Sequence, residues 1–203
     1  MDEQYYEKLL NIKTSGEQKI FNASIHYHRY EPTSYSALEI LSENYEFSAE
    51  DSIVDFGCGK GRFCFFINYF FKSAVTGVEM NNFFYREAIE NKKHSLQPNK
   101  NQKDRINFAN CFAEKYPIDS SNNKFYFFNP FSMQIFAKVI KNILFSAERY
   151  ERPVEIILYY PSNDYIYFLD TIPNLLLINE IKVPAMHDND PRHKFLVYKA
   201  EFC

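Results

Sequence analysis

The chain has 203 residues, of which 46% are apolar and 24% charged, and its formal net charge at pH 7 is −3. This length and composition predict one compact domain and exclude a disordered or collagen-like chain, and no overall positive charge indicates nucleic-acid binding. The four cysteines include no C-x-x-C pair, which argues against a zinc ribbon or a disulfide framework. We therefore expect a cytoplasmic protein, without a signal sequence or a membrane segment.

The N-terminal part of the chain, residues 1–50, is predicted to form a helical cap. The helical pattern breaks at Pro32, and Thr33 or Ser34 is the expected N-cap of the helix that follows. This cap is expected to pack on the main domain, residues 51–203, as part of one folding unit.

From residue 52 onward, short apolar strands alternate with longer helical stretches, the pattern of parallel strand-helix-strand units. The predicted strands cover residues 52–56, 74–80, 105–111, 124–128, 154–160, 175–183 and 194–202. The last two strands have no helix between them and should pair antiparallel. The predicted fold is an α/β doubly wound, seven-strand, mostly parallel sheet with an antiparallel last strand and an N-terminal helical cap.

Three of the five glycines lie within five positions, in the segment Asp55-Phe56-Gly57-Cys58-Gly59-Lys60-Gly61, between a predicted strand and a predicted helix. Glycine there lets the backbone turn sharply and approach a ligand, and the helix start presents unpaired N–H groups. Glu79 follows the last of these glycines by 18 residues, at the carboxyl end of the next strand. A carboxylate there can accept hydrogen bonds from both ribose hydroxyls, so the pattern predicts a nucleoside site.

The glycine spacing distinguishes between nucleoside ligands. A dinucleotide fingerprint requires glycine where Arg62 stands, and no P-loop string is present. The segment instead resembles motif I of the class I S-adenosylmethionine (SAM) methyltransferases, D-x-G-x-G-x-G, with its four fixed positions at Asp55, Gly57, Gly59 and Gly61. The resemblance extends over about residues 30–202 and implies a Rossmann-like fold that binds SAM.

The resemblance also implies roles for individual residues. Glu79 would bind the ribose, Met80 would lie against the adenine, and Asn110 with Cys111 would contact the adenine edge, although aspartate is commoner at Asn110. Tyr30 belongs to a segment that covers the methionine end of SAM in several members of the family. The alternative is that this segment only caps a helix. The implied cofactor-binding residues are Tyr30, Asp55, Phe56, Gly57, Cys58, Gly59, Gly61, Glu79, Met80, Asn110, Cys111 and Asn129.

The fourth predicted strand ends in Asn129-Pro130-Phe131, which resembles the N-P-P-[YF] motif without its second proline. Asn129, helped by the Pro130 carbonyl, would accept a hydrogen bond from an acceptor NH2 group and orient the nitrogen lone pair. Phe131 and Tyr160 would offer flat faces to the acceptor. The segment is also compatible with a simple strand-ending turn.

The interpretation is thus a SAM-dependent methyltransferase whose acceptor is a nitrogen in a protein or nucleic acid. A small-molecule acceptor, a catalytically silent SAM-binding module and a nucleotide-dependent oxidoreductase remain alternatives. No metal site is predicted, because His26 and His28 have no further ligand at a suitable spacing. The segment from His187 to His193 is interpreted as a polar hairpin turn.

Overall fold

The computed structural model describes residues 3–16, 31–96 and 104–202. The helices are α1 (Glu3–Leu10), α2 (Tyr35–Asn44), α3 (Arg62–Phe71), α4 (Asn82–His94), α5 (Met133–Arg149), α6 (Asn163–Asp170) and α7 (Met186–Asn189). The strands are β1 (Ser52–Phe56), β2 (Ala74–Val78), β3 (Ile106–Ala109), β4 (Lys124–Phe127), β5 (Val154–Tyr159), β6 (Leu175–Lys182) and β7 (Lys194–Ala200). None of the helices in these ranges has the length and apolar character needed to cross a bilayer. Tyr30, His26 and His28 lie outside the described residues.

The seven strands form one sheet in the order β3-β2-β1-β4-β5-β7-β6. Strands β1 to β5 run parallel to one another, whereas β7 runs antiparallel to both β5 and β6. The predicted sheet with an antiparallel last strand is therefore confirmed. Asp55 of β1 is level with Gly77 of β2 and Tyr126 of β4, so these three strands end at the same edge.

Helices cover both faces of the sheet, as the doubly wound pattern predicts. One face packs against α1, α2 and α3, and the other packs against α5 and α6. Helix α3 is apolar nearly all round, and its residues 62–68 are buried. Helix α5 instead places one apolar stripe, which includes Phe136 and Ile140, against the sheet. The helices on the two faces of the sheet hold the strand ends in fixed relative positions.

The N-terminal region is less helical than predicted. Residues 11–16, 31–34 and 46–51 contain no helix, and α2 begins after Ser34, whose Oγ accepts a hydrogen bond from the Ala37 N–H at 3.3 Å. Helices α1 and α2 share one apolar cluster with α3. The division of the chain at residue 50 stays a prediction.

Two further boundaries differ from expectation. Strand β3 ends at Ala109, two residues before the predicted end, because Asn110 turns its side chain to the main chain that follows β2. The segment predicted as a hairpin turn between β6 and β7 begins with the one-turn helix α7.

Candidate functional site

The chain turns sharply at residues 57–61, between β1 and α3, which confirms the predicted glycine turn. Gly57 and Gly61 have φ angles of +81° and +88°, which glycine adopts at little cost. The Gly57 N–H donates to the Val78 carbonyl at 2.9 Å and so joins the turn to the end of β2. A Cβ on Gly57 would lie 2.5 Å from the Pro130 Cβ. The turn is therefore in direct contact with the segment that follows β4.

Glu79 lies directly after β2 and faces the glycine turn. Its Oε2 accepts a hydrogen bond from the Gly59 N–H at 3.0 Å, and its Oε1 accepts one from the Asn81 N–H at 2.7 Å. The residue is only 8% exposed, and this burial raises the carboxyl pKa although backbone donors oppose the rise. The two oxygens of a carboxylate have about four acceptor positions, so further hydrogen bonds from a ligand fit.

Asp55 is a second buried carboxyl group beside the turn, at 3% exposure. Burial raises its pKa to about 7, and the negative charge of Glu79 adds to the rise, while a hydrogen bond from Cys64 opposes it. The Cys64 Sγ lies 3.4 Å from Oδ2. Neither Asp55 nor Glu79 forms an ion pair within the described part of the chain. The site thus has two buried acidic groups that a cationic ligand would stabilise.

The remaining predicted cofactor residues fall into two groups. Asn110 donates from Nδ2 to the carbonyls of Glu79 and Met80, at 2.8 and 3.2 Å, so the ends of β2 and β3 are fixed together. Cys111 follows it and is half-buried. These residues line the edge of the site beyond Glu79. Phe56 differs, because the whole residue is buried in the core, so the structure does not present it to a ligand.

Cys58 lies within the glycine turn, and its thiol packs beneath β2. A Cβ added to Gly77 would lie 2.6 Å from the Cys58 Sγ. Burial raises the pKa of Cys58 to about 11, so the group remains a thiol at neutral pH. The side chain therefore packs under the turn, and the Cys58 main chain is hydrogen-bonded to Val78 and Gly61, so the structure does not present Cys58 to a ligand.

Asn129 and Pro130 lie after β4, next to the glycine turn, as the parallel strands require. Asn129 has a φ of +39°, an uncommon backbone conformation for a residue other than glycine. The predicted role of Phe131 is wrong, because its ring is 2% exposed and packs edge-on against Phe127 in the core. Its carbonyl accepts a hydrogen bond from the Tyr165 hydroxyl at 2.6 Å, which fixes this segment over α6. Tyr160 is half-buried at the end of β5.

Neither a protein-family model nor a curated protein matches the sequence. Among solved structures, the chain is similar to geranyl diphosphate C-methyltransferase from Streptomyces coelicolor A3(2), with a TM-score of 0.55, 12% identity, and coverage of 83% of this chain and 79% of that one. It is also similar to an rRNA methylase from Streptococcus thermophilus, with a TM-score of 0.54, 14% identity, and coverage of 86% of this chain and 98% of that one. It is similar as well to human methyltransferase 10 domain containing protein, with a TM-score of 0.55, 12% identity, and coverage of 83% of this chain and 80% of that one. The chain has a Rossmann-like α/β fold, which these methyltransferases share.

Sequence reasoning missed the role of Arg62, the first residue of α3. Its Nε donates to the Thr14 Oγ1 at 2.7 Å, and its Nη1 donates to the Thr33 carbonyl at 3.1 Å and lies 2.5 Å from the Glu3 carboxylate. The guanidinium carbon is 4.4 Å from the centre of the Tyr35 ring. Arg62 thereby joins the N-terminal segments to the glycine turn. The one signal in the sequence was a charged residue in an otherwise apolar helix.

Sequence reasoning also missed an arrangement of side chains farther along the same edge of the sheet, beyond Asn129. Tyr159 and Tyr160 at the end of β5 contact residues Asp190, Arg192 and His193 before β7. Spacing in the sequence gave no indication of these contacts, because about 30 residues separate the two groups.

Proposed function

We propose that this protein binds SAM across the glycine turn and transfers its methyl group to an acceptor at the end of β4. The observation that supports the proposal is the pair of buried carboxyl groups, Asp55 and Glu79, beside a sharp turn at which Gly57 is exposed. SAM carries a sulfonium and an ammonium group, so two acidic groups in a site of low polarity would stabilise it. The free thiols of Cys58, Cys64 and Cys111 fit a cytoplasmic location.

The proposed cofactor orientation follows from the strand order. Glu79, after β2, would accept hydrogen bonds from the ribose hydroxyls, and Met80, Asn110 and Cys111 would surround the adenine. The main chain of residues 57–61 and the Asp55 carboxylate would then face the methionine part. This direction places the reactive end of the cofactor toward β4, where Asn129 and Pro130 follow the strand.

The chemistry requires few groups from the protein. SAM supplies a methyl group that is already activated by its positive sulfur. The protein must hold the acceptor in line with the sulfur–carbon bond and exclude water, and positioning of this kind can account for a large part of a rate enhancement. Asn129 Oδ1 and the Pro130 carbonyl would accept hydrogen bonds from an acceptor amino group, which would aim the nitrogen lone pair at the methyl carbon.

The proposed acceptor is a nitrogen, on the basis of Asn129 and Pro130. Protein, nucleic-acid and small-molecule acceptors fit this geometry alike. The structurally similar proteins span that range by name, from an rRNA methylase to a geranyl diphosphate C-methyltransferase.

The proposal can be tested by incubating the protein with SAM that carries a tritiated methyl group and a lysate, and counting the label in macromolecular and small-molecule fractions. Asn129→Ala should lower the labelling rate about 100-fold and leave the affinity for SAM within about twofold, because general base and positioning groups contribute roughly that factor. Binding of SAM without label in any fraction would indicate a silent SAM-binding module. Loss of SAM binding in Asn129→Ala would instead place this residue in the cofactor site.

A further inference from the structure

The described residues other than glycine that have a positive φ are Asn11, Lys72, Asn129, Glu151, Tyr160 and Ala185. Three of them, Asn11, Lys72 and Glu151, lie within two residues of the end of a helix, where this conformation is common. The other three, Asn129, Tyr160 and Ala185, follow β4, β5 and β6. These strands all end at the edge that bears the glycine turn. Backbone strain of this kind concentrates at functional sites.

Tyr160, Asp190 and Arg192 all contact one another at this edge of the sheet. The Tyr160 hydroxyl donates to Asp190 Oδ2 at 2.6 Å, and the Arg192 Nη2 lies 2.7 Å from the same oxygen. Arg192 also stacks over the Tyr160 ring, with 4.4 Å between the guanidinium carbon and the ring centre. The hydrogen bonds from Arg192 and Tyr160 hold the pKa of Asp190 well below its usual range, so this carboxylate stays ionised and its oxygens are occupied.

His193 lies between the two tyrosines that end β5. Its Nδ1 is 2.9 Å from the Tyr159 hydroxyl, and its ring centre is 4.7 Å from that of Tyr160. Burial raises the pKa of Tyr159, and the hydrogen bond to Asp190 raises that of Tyr160, so both hydroxyls keep their protons near neutral pH. Within the described residues, the second ring nitrogen of His193, Nε2, makes no hydrogen bond. Of these side chains, the His193 imidazole is the one with a ring nitrogen available to accept a proton.

The charged groups around His193 come from two segments. Asp190 and Arg192 precede it on the connection to β7, and Glu31 adds negative charge beside Tyr159 and Tyr160. Two negative groups and one positive group leave an excess of negative charge near the imidazole.

His193 is also close to the proposed transfer site. The Phe128 ring, one residue before Asn129, lies 4.8 Å from the Tyr159 ring and 6.2 Å from the Tyr160 ring, measured between ring centres. Neighbouring strands are about 5 Å apart, so the ends of β1 and β5 are separated by roughly 10 Å. The cluster thus flanks Asn129 on the side away from Glu79, where an acceptor would lie if the proposed cofactor orientation holds.

We propose that His193 is the group that receives the proton released when the acceptor nitrogen is methylated. This inference rests on the proposed function. The nitrogen lone pair forms the new bond to the methyl carbon, and the sulfur–carbon bond breaks with its electron pair going to sulfur. The N–H proton of the acceptor then moves to Nε2 of His193, and Nδ1–H is held by the Tyr159 oxygen. The acceptor is therefore a group with an N–H bond, bound between the Asn129-Pro130 turn and the Tyr160 ring.

The first experiment compares labelling rates with tritiated SAM and lysate for the wild type, His193→Gln and Tyr159→Phe. The matched control is His94→Gln, which replaces an exposed histidine at the end of α4. His193→Gln should lower the rate about 100-fold or more, as loss of a general base does. Its affinity for SAM, measured by calorimetry, should stay within about twofold, and His94→Gln should match the wild type.

The pH profile separates a proton acceptor from a structural residue. The wild-type labelling rate should rise with pH as the proton-accepting group becomes deprotonated, and the residual rate of His193→Gln should lack this rise. In the protein without ligand, nuclear magnetic resonance should show the titration midpoint of His193 shifted by Tyr159→Phe, with that of His94 unchanged. Tyr159→Phe keeps the aromatic ring and removes only the hydroxyl that contacts His193. It therefore tests the role of His193 even if His193→Gln fails to fold.

The outcomes distinguish this inference from the proposed function. If the wild type neither binds SAM nor labels any fraction, the proposed function fails, and the role of His193 fails with it. If the wild type binds and labels but His193→Gln has the same rate and the same pH profile, only the role of His193 is overturned. An unchanged His193 titration in Tyr159→Phe, together with an unchanged rate, would likewise overturn it.

Discussion

Gly57 combines an unusual backbone conformation with a very close neighbour. Its φ is +81°, and a Cβ there would approach the Pro130 Cβ to 2.5 Å. Gly16 provides a comparison, because its φ is +102° but a Cβ there would have no atom of the described residues within 4 Å. The two positions therefore separate the backbone cost of replacing glycine from the cost of a steric clash.

Gly57→Ala should lower the free energy of unfolding by about 3 kcal/mol, since it adds overpacking to the backbone cost. Gly16→Ala should lower it by only about 1 kcal/mol, because the backbone cost stands alone. Urea unfolding of both variants measures the difference. Equal losses of unfolding free energy in the two variants would show that Pro130 does not restrict the space at Gly57.

Arg62 joins several elements, since it links α1, the segment after α1 and the segment before α2 to the start of α3. Its side chain is 4% exposed, whereas its partner Glu3 is 45% exposed. Removing the buried charge of Arg62 would leave its hydrogen-bonding partners uncompensated, although the exposure of Glu3 reduces the cost. Arg62 therefore adds polar contacts to the apolar cluster that α1 and α2 share with α3.

Arg62→Met should lower the free energy of unfolding by about 2 to 3 kcal/mol, the range for hydrogen bonds that involve a charged group. The control is Lys93→Met, which breaks an ion pair with Glu90 whose side chains are 64% and 55% exposed. Exposed pairs of this kind contribute below about 1 kcal/mol. Chemical unfolding followed by circular dichroism tests both, and an Arg62→Met loss no larger than that of Lys93→Met would contradict this role.

The elements that sequence patterns predicted well are those with a strong local signal. Strand β1 and helix α3 were predicted within one residue, because a short, mostly apolar run ends at a glycine turn and the helix is apolar nearly all round. The region before residue 50 was predicted less well. There α1 and α2 are separated by segments whose path depends on contacts with Arg62, which no local pattern encodes.

At the scale of the whole molecule, the sheet explains which parts of the site could be predicted. Glu79 and Asn129 were placed beside the glycine turn because parallel strands end at one edge, a rule that needs only strand positions. The contact between Tyr159 and His193 could not be predicted in this way. It exists because β7 lies between β5 and β6, so that residues 34 apart in the sequence become neighbours.

The central claim is that Asp55, Glu79 and the glycine turn form a SAM site, and calorimetric titration with SAM tests it most directly. The wild type should bind, and Glu79→Ala should bind at least tenfold more weakly, because each hydrogen bond to a charged group contributes about 1.5 to 3 kcal/mol. Affinity should rise from pH 6 to pH 8, since the pKa of Asp55 is about 7 and a cation favours its ionised form. No binding by the wild type, or equal binding by Glu79→Ala, would contradict the account.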